Sequence, residues 1–374
     1  MSASSPPATV FGSRLLVSRA DIASAKVDAA GEAPDPGEGR ALFRVESAAL
    51  TANNVTYAAM GEAMGYWRFF PAPEGYGTLP VWGFAECTAS DVDGIETGDR
   101  FYGYWPLAEF LLVEADKVTA NGFFDPSEHR QGLADAYNQY SRRERAADRA
   151  EDAAEAEAIE ALFRPLFTTG WLIARAMHRA ADYGAEQVVL SSASSKTAQS
   201  AAWTFGARGE GEDRPDLIGL TSPANADFTR ATGLYDSVCT YDGLAEIAGD
   251  RPTVYIDFAG GTELRRQVHE RFGPRLNRSI AVGATQWDEM RLGAEMPPPE
   301  PKMFFAPDAI DDEIRTFGRS GYAKELEDGW SAFADWVRPH ISVRTVEGLD
   351  AAAEAYRDLA AGRVEGSSGL IVRP

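Results

Sequence analysis

From Gly170 onward the chain alternates between short apolar runs and amphipathic ones, and this order limits the fold more than any other feature. "WLIARAMHRAADYG" reads as a helix, "EQVVLSSA" as a strand, "KTAQSAAWTFGA" as a helix and "PDLIGLTS" as a strand. The pattern continues with a helix in "ANADFTRATGL", strands in "YDSVCTY" and "TVYIDFAGG", a helix in "TELRRQVHERFG" and a strand in "LNRSIAVGAT". Repeated strand–helix units with apolar strands imply a parallel sheet covered on both faces. The tail adds the strand "HISVRTVEG", the helix "LDAAAEAYRDLAAG" and the strand "SSGLIVRP".

The first 120 residues read differently. "ALFRVESAA" (41–49) alternates apolar and polar residues as a half-buried strand does, and 80–89 and 101–117 also read as strands, separated by the turn-rich "DVDGIETGDR". Between them and the alternating region lies a stretch rich in Ala, Glu and Arg, residues 125–162, which predicts one or two exposed helices. Pro126 marks its start and Pro165 interrupts the pattern. A chain of 374 residues accommodates two domains.

The net charge of −21 repels nucleic acid and anionic membrane. The two cysteines, Cys87 and Cys239, have no metal spacing and fit a reduced, cytoplasmic setting. The N-terminal stretch lacks the apolar run of a signal peptide, and no segment reaches the roughly 18 apolar residues a membrane helix needs.

Four segments together resemble the medium-chain dehydrogenase/reductase superfamily, in a divergent part of its zinc-free quinone oxidoreductase-like branch. They are "ALFRVESAALTANNVTYAAMG"; "GIETGDRFYGY" with "AEFLLVEADKV"; "VVLSSASSKTAQSAAWTFGA" with "IGLTSPANADFTRATGLYDSVCTYD" and "VYIDFAGG"; and "LDAAAEAYRDLAAGRVEGSSGLIV". The resemblance implies an α/β protein with a GroES-like β-rich catalytic domain over 1–165, including the helical insertion. A doubly wound Rossmann domain follows over 166–338, and a tail over 339–374 returns to the catalytic domain. It also implies a cleft between domains as the active site, and a homodimer.

The turn after the first Rossmann strand is unusual. A dinucleotide fingerprint places glycines where the chain turns tightly, where the pyrophosphate meets the backbone, and where helix and strand pack closely. Here Ser192, Ser195 and Ala198 stand at those places, with Lys196 where another glycine often sits. Small side chains preserve the packing, and amides at the helix start still face an anion. Ser194, Ser195 and Thr197 add hydroxyls, and Lys196 adds a charge for a phosphate. "SSKT" echoes the end of a Walker loop, but the "G-xxxx-G" before it is missing. The tip of the second strand carries Thr221, Ser222 and Asn225 instead of the carboxylate that binds an NAD ribose, which favours NADP(H). The resemblance adds Tyr241 near the adenosine half, and Thr169, Phe258 and Gly283 near the nicotinamide. Asp257 either lines that end or caps the next helix.

The family's zinc-binding "GHE" is absent. "WGFAEC" stands in its place, with Phe84 and Ala85 at the ligand positions. His129, His178 and His269 lie in helical, partly polar stretches that predict exposure, and no histidine has a second ligand at metal spacing, so no catalytic zinc is expected. Charge on a substrate oxygen then needs another donor. In the loop that zinc-free relatives use for substrate, Asn53, Asn54 and Tyr57 are candidates, with Asn54 and Tyr57 as the catalytic pair. Tyr66, Trp67, Tyr104 and Trp287 are the aromatic candidates for a planar substrate. The expected activity is zinc-independent, NADP(H)-dependent reduction or oxidation of a carbonyl, enone or quinone. The alternative is a redox-neutral lyase or isomerase on an aromatic substrate, with NADP tightly held or absent. A non-enzymatic binding protein is a third reading.

Overall fold

The computed structural model describes residues 9–148, 150, 153–209, 213–282, 296–304 and 306–374. The chain divides into two compact units. One comprises Met1–Leu162, Val343–Val364 and Ser368–Pro374, and the other comprises Phe163–Ser342 and Glu365–Ser367.

The first unit is built on one antiparallel sheet. Its strands are β1 (Val10–Ser18), β2 (Ala25–Ala29), β3 (Arg40–Leu50), β4 (Tyr76–Thr78), β5 (Pro80–Ser90), β6 (Arg100–Pro106), β7 (Ala108–Glu114), β8 (Asp116–Thr119), β9 (Gly122–Phe124) and β10 (Gln139–Arg143). They run in the order β2-β1-β7-β3-β5-β6-β10-β9-β8, with β4 beside β1. The run expected over 101–117 breaks near Leu107 into β6 and β7. Phe43, fully buried on β3, lies 5.3–5.6 Å from the rings of Phe101, Trp105 and Phe123. Each such side chain contributes roughly 1.5–3 kcal/mol by leaving water. Gly83 is required where β5 crosses β3, because a Cβ there would lie 2.1 Å from the Ser47 carbonyl oxygen. A short helix, α1 (Ala52–Ala59), begins the "TANNVTYAAMG" segment.

Residues 125–162 correct the sequence expectation. They become helical only at Ala153, where α2 (Ala153–Arg179) starts. Before it come short 3-10 turns at Glu128–Arg130 and Asp135–Tyr137, then β10, which pairs with both β6 and β9. Tertiary partners override helix propensity here. Tyr140 is buried 4.5 Å from the Trp105 ring, while Arg143 pairs with Glu160 and Arg145 with Glu96 and Asp99. Pro165 does not end the helix but lies inside α2. Thr168 and Thr169 donate to the carbonyls of Arg164 and Pro165 in the turn that follows it.

In the second unit, β11 (Gln187–Ser191), β12 (Asp216–Thr221), β13 (Ser237–Thr240), β14 (Thr253–Asp257), β15 (Leu276–Ala281) and β16 (Lys302–Met303) form a parallel sheet in the order β13-β12-β11-β14-β15-β16. Its helices are α3 (Lys196–Gly206), α4 (Ala226–Ala231), α5 (Thr262–Phe272) and α6 (Ala306–Val337). Val188 and Leu190 pack on the side of Ala198, Ala201 and Phe205, while Val189 packs on the side of Val268 and Phe272. Both faces are dry, so the middle of the strand, 188–190, is apolar at every position. Gly170 lets α2 touch α3, since a Cβ there would lie 2.6 Å from the Ala201 amide nitrogen. The chain then returns to the first unit with β17 (Ser342–Glu347), α7 (Leu349–Ala360) and β18 (Ser368–Arg373); β18 pairs with β3 and with β17.

Candidate functional site

The sheet order of the second unit, read outward from β11, is 3-2-1-4-5-6, and the direction reverses between β11 and β14. The turn from β11 to α3 lies beside that reversal. Ser192 adopts φ +49°, a left-handed conformation that favours glycine. The Tyr241 hydroxyl bonds to Ser192, and the Tyr235 hydroxyl donates to the Ala193 carbonyl at 2.8 Å. Ser195 caps α3, its Oγ accepting from the Ala198 amide at 3.3 Å. Ser194 is buried, with its Oγ 3.5 Å from the Thr221 hydroxyl and its carbonyl accepting from Gln199 Nε2. Lys196 and Thr197 open the helix, both half-buried. The Lys196 ammonium lies 5.5 Å from the Phe163 ring centroid, and burial lowers its pKa to about 8.

At the tip of β12, Asn225 Nδ2 donates to Ser222 Oγ at 3.1 Å. Asn225 Oδ1 accepts from the Gly366 amide, and a Cβ on Gly366 would lie 3.0 Å from Ser194 Cβ. Thus Ser192, Ser194, Ser195, Lys196, Thr197, Ser222, Asn225 and Tyr241 gather at the carboxyl ends of β11, β12 and β13. Arg230 is tied to Asp227 on the surface.

The loop after β14 is held from within. Asp257 Oδ1 accepts from Ser191 Oγ (2.8 Å), the Tyr255 hydroxyl and the amides of Ala259 and Gly260, while Oδ2 pairs with Arg265 at 2.7 Å. The Phe258 amide donates to Ser191 Oγ at 2.9 Å. Asp257 therefore braces its own loop and does not cap α5, whose N-cap is Gly261. Thr169 bonds back to Pro165 within α2. Gly283 and Trp287 lie outside the described residues.

In the first unit the aromatic candidates separate. Trp67 is buried between Gly61 and Gly77, where a Cβ on either glycine would overlap its ring. Asn54 is committed to the start of α1: its Oδ1 accepts from the Thr51 amide at 2.6 Å and its Nδ2 donates to the Pro80 carbonyl at 2.8 Å. Those bonds give it a helix-capping role and commit one of its two amide hydrogens to Pro80. Tyr57, Tyr66 and Tyr104 do come together, joined by Phe69, Trp82 and Tyr137. Trp82 Nε1 donates to the Tyr57 hydroxyl at 3.1 Å, and Tyr57 also bonds to Asn53 and Tyr137. The Tyr66 and Tyr137 hydroxyls are 3.3 Å apart. The Tyr104 hydroxyl is buried with no hydrogen-bond partner among the described residues. Desolvation raises the pKa of all four tyrosines, so they are neutral phenols.

Sequence reasoning missed Trp82 and Tyr137. Trp82 reads as an ordinary strand residue, and Tyr137 lies in the stretch taken for helix. Two histidines are less exposed than expected. His269 is fully buried, with Nδ1 2.6 Å from the Pro297 carbonyl and Nε2 2.9 Å from Ser279 Oγ, and His129 is half-buried against the Phe69 carbonyl. Pro297 and Ser279 satisfy both ring nitrogens of His269, while burial lowers its pKa. Phe84 and Ala85 are buried in β5, and burial pushes the Cys87 thiol up to about 11. Among the described residues no three His, Cys, Asp or Glu side chains gather as metal ligands, and no helix is long and apolar enough to cross a membrane.

The chain is similar in structure to CurA from Vibrio vulnificus in complex with NADPH, at 15% identity and a TM-score of 0.63, over 97% of this chain and 99% of that one. It is also similar to the yhdH oxidoreductase from Salmonella enterica in complex with NADP, at 14% identity and a TM-score of 0.51, over 97% and 99% of the two chains. The CurK enoyl reductase matches at 14% identity and a TM-score of 0.52, over 96% and 98%. The fold is that of the medium-chain dehydrogenases/reductases. No curated protein sequence matches. The family described as "Protein of unknown function (DUF2855)" matches residues 48–365, most of the sequence, and the chain belongs to that family.

Proposed function

We propose that this chain is an NADP(H)-dependent oxidoreductase that works without zinc on a carbonyl, enone or quinone of an aromatic or planar molecule. The observation that carries the reading is the β11–α3 turn, at the reversal point of a 3-2-1-4-5-6 sheet where such folds hold dinucleotides. Its residues fit a phosphate. Ser192 makes the left-handed turn without glycine, the first turn of α3 leaves amides for an anion, and Lys196 brings a cation to the same place. CurA and yhdH, with the same fold, carry NADPH and NADP, which supports that cofactor here. Ser222 and Asn225 at the tip of β12 suit a ribose 2′-phosphate better than a free 2′-hydroxyl.

When bound, NADP(H) supplies or takes up a hydride. The chain's own part is to orient the substrate and stabilise its oxygen. Neutral tyrosines serve as hydrogen-bond donors to a carbonyl oxygen, with Tyr57 and Tyr104 in that role. Their neighbouring rings favour a flat substrate.

Calorimetric titration tests the reading. NADPH is expected to bind at least about tenfold more tightly than NADH, and Lys196→Ala to weaken NADPH by about tenfold, or 1.4 kcal/mol. NADPH affinity should fall as pH rises through about 8, where the Lys196 ammonium loses its proton. No binding of either nucleotide overturns the proposal. Turnover of an aromatic carbonyl without net NADPH consumption would move the assignment to the redox-neutral lyase or isomerase.

A further inference from the structure

Tyr137 is held as a ligand is held. Its ring lies 4.7–6.3 Å from five others, those of Tyr57, Tyr66, Phe69, Trp82 and Tyr104. Its hydroxyl bonds to Tyr57 and lies 3.3 Å from that of Tyr66. The five enclosing rings come from α1, the 66–70 segment, β5 and β6, whereas Tyr137 is delivered by the inserted segment. The box reaches the surface, because Asn53, Tyr66, Trp82 and Tyr137 are each half-buried.

The segment carrying Tyr137 is a strap between two fixed points. Arg130 is fully buried, bonded to the Tyr140 hydroxyl at 3.0 Å and paired with Asp125, and Tyr140 is built into β10. Between them residues 131–136 are exposed apart from half-buried Leu133, and Gly132 has φ +77° with open space around it. Exposed Arg68 ties the strap down by donating to the Gln131 carbonyl at 2.8 Å.

We infer that Tyr137 is an intramolecular occupant of a hydroxyaryl-binding box, and that an external phenol ring, its hydroxyl received by Tyr57 and Tyr66, takes its place when the strap opens. The inference rests on the aromatic-substrate reading above and narrows it to hydroxyaryl compounds. Tyr57 and Tyr66 can each donate or accept, so a neutral phenol keeps their hydroxyls and its own paired. An aryl carboxylate would bring a charge to hydroxyls whose nearby cation among the described residues, Arg130, is committed to Asp125 and Tyr140. The apparent affinity for an external phenol is the intrinsic one reduced by the fraction of chains with the strap open.

The test uses p-cresol, the tyrosine side chain as a free molecule, with toluene as the ring lacking a hydroxyl. The full-length protein, Arg68→Ala and Tyr137→Ala are titrated without nucleotide, and amide hydrogen exchange is followed at 131–138. Loosening the strap through Arg68→Ala leaves the box intact and should tighten p-cresol about three- to tenfold. Tyr137→Ala should tighten it further, toluene should bind at least about tenfold more weakly throughout, and p-cresol should speed exchange in the strap of the unaltered protein. Equal binding of p-cresol and toluene would mean a cavity without hydroxyl recognition. Unchanged p-cresol affinity in Arg68→Ala, or no binding to it, would mean that Tyr137 is a permanent core residue. Either result overturns the inference. Because no nucleotide is present, a failure of the NADP(H) assignment leaves this titration intact, and the reverse also holds.

Discussion

At the scale of single residues, Asp257 sets the stability of the dinucleotide-fold unit. It is fully buried and gathers a hydroxyl pair, two amides and Arg265. Asp257→Ala leaves the Arg265 charge buried and unpaired, and should cost roughly 3–5 kcal/mol in urea denaturation. Adding Arg265→Leu should recover part of that loss. His269 gives a pH signature. Burial, chiefly, lowers its pKa below the ordinary 6.5, so the unfolded chain takes up its proton first as pH falls. Its neutral form therefore supports the fold above about pH 6.5, and that support is lost progressively as pH falls to the depressed folded value. His269→Gln should flatten the melting temperature across that window; an unchanged slope would assign it to other groups. The residue-level site was half legible. Ser192, Ser195 and Lys196 could be placed because a strand–turn–helix motif is local. The bond from Asn54 to the Pro80 carbonyl could not, because that partner is distant in sequence.

At the scale of elements, the central parallel strands were legible because both faces are buried and their middle positions, 188–190 and 254–256, are apolar runs. Residues 125–148 were not. Their composition favours helix, but β10 finds partners on both sides, and that pairing has no trace in local composition. Tyr140 fixes β10, packing 4.5 Å from Trp105 and 4.7 Å from Phe123 while its hydroxyl donates to the Tyr104 carbonyl. Tyr140→Ala should cost about 3–5 kcal/mol by the measure of other buried aromatic truncations, read as a lower urea midpoint. It should also raise hydrogen exchange across 125–143 ahead of the rest of the unit. Pro165 is the opposite case, a residue whose local meaning is overruled, because α2 is packed along its length by Ile159, Leu162, Phe163, Phe167 and Leu172.

At the scale of the whole molecule, neither unit is one continuous piece of chain. Division points fall inside α2, after Ser342, and on both sides of Glu365–Ser367. The general architecture could be read from the order of strands and helices. The placement of Gly366 against Ser194 could not, since it joins residues more than 170 positions apart. Removing Ser368–Pro374 deletes β18, which pairs with both β3 and β17. The truncated chain should lose the cooperative unfolding of the first unit, seen as a broadened calorimetric transition. Retention of a single sharp transition would show that β18 is dispensable.

That pairing also sets a timetable. A ribosome makes β3 before the Phe163–Ser342 stretch and β18 after it, so the 48–50 stretch of β3 waits through the synthesis of that whole stretch for Leu370–Val372. An unpaired strand edge held open that long is a place for premature association with other nascent chains. The sheet of the first unit is thus completed only after most of the second unit has been made, and the yield in a cell should depend on chaperone protection of a sheet that synthesis leaves one strand short for that interval.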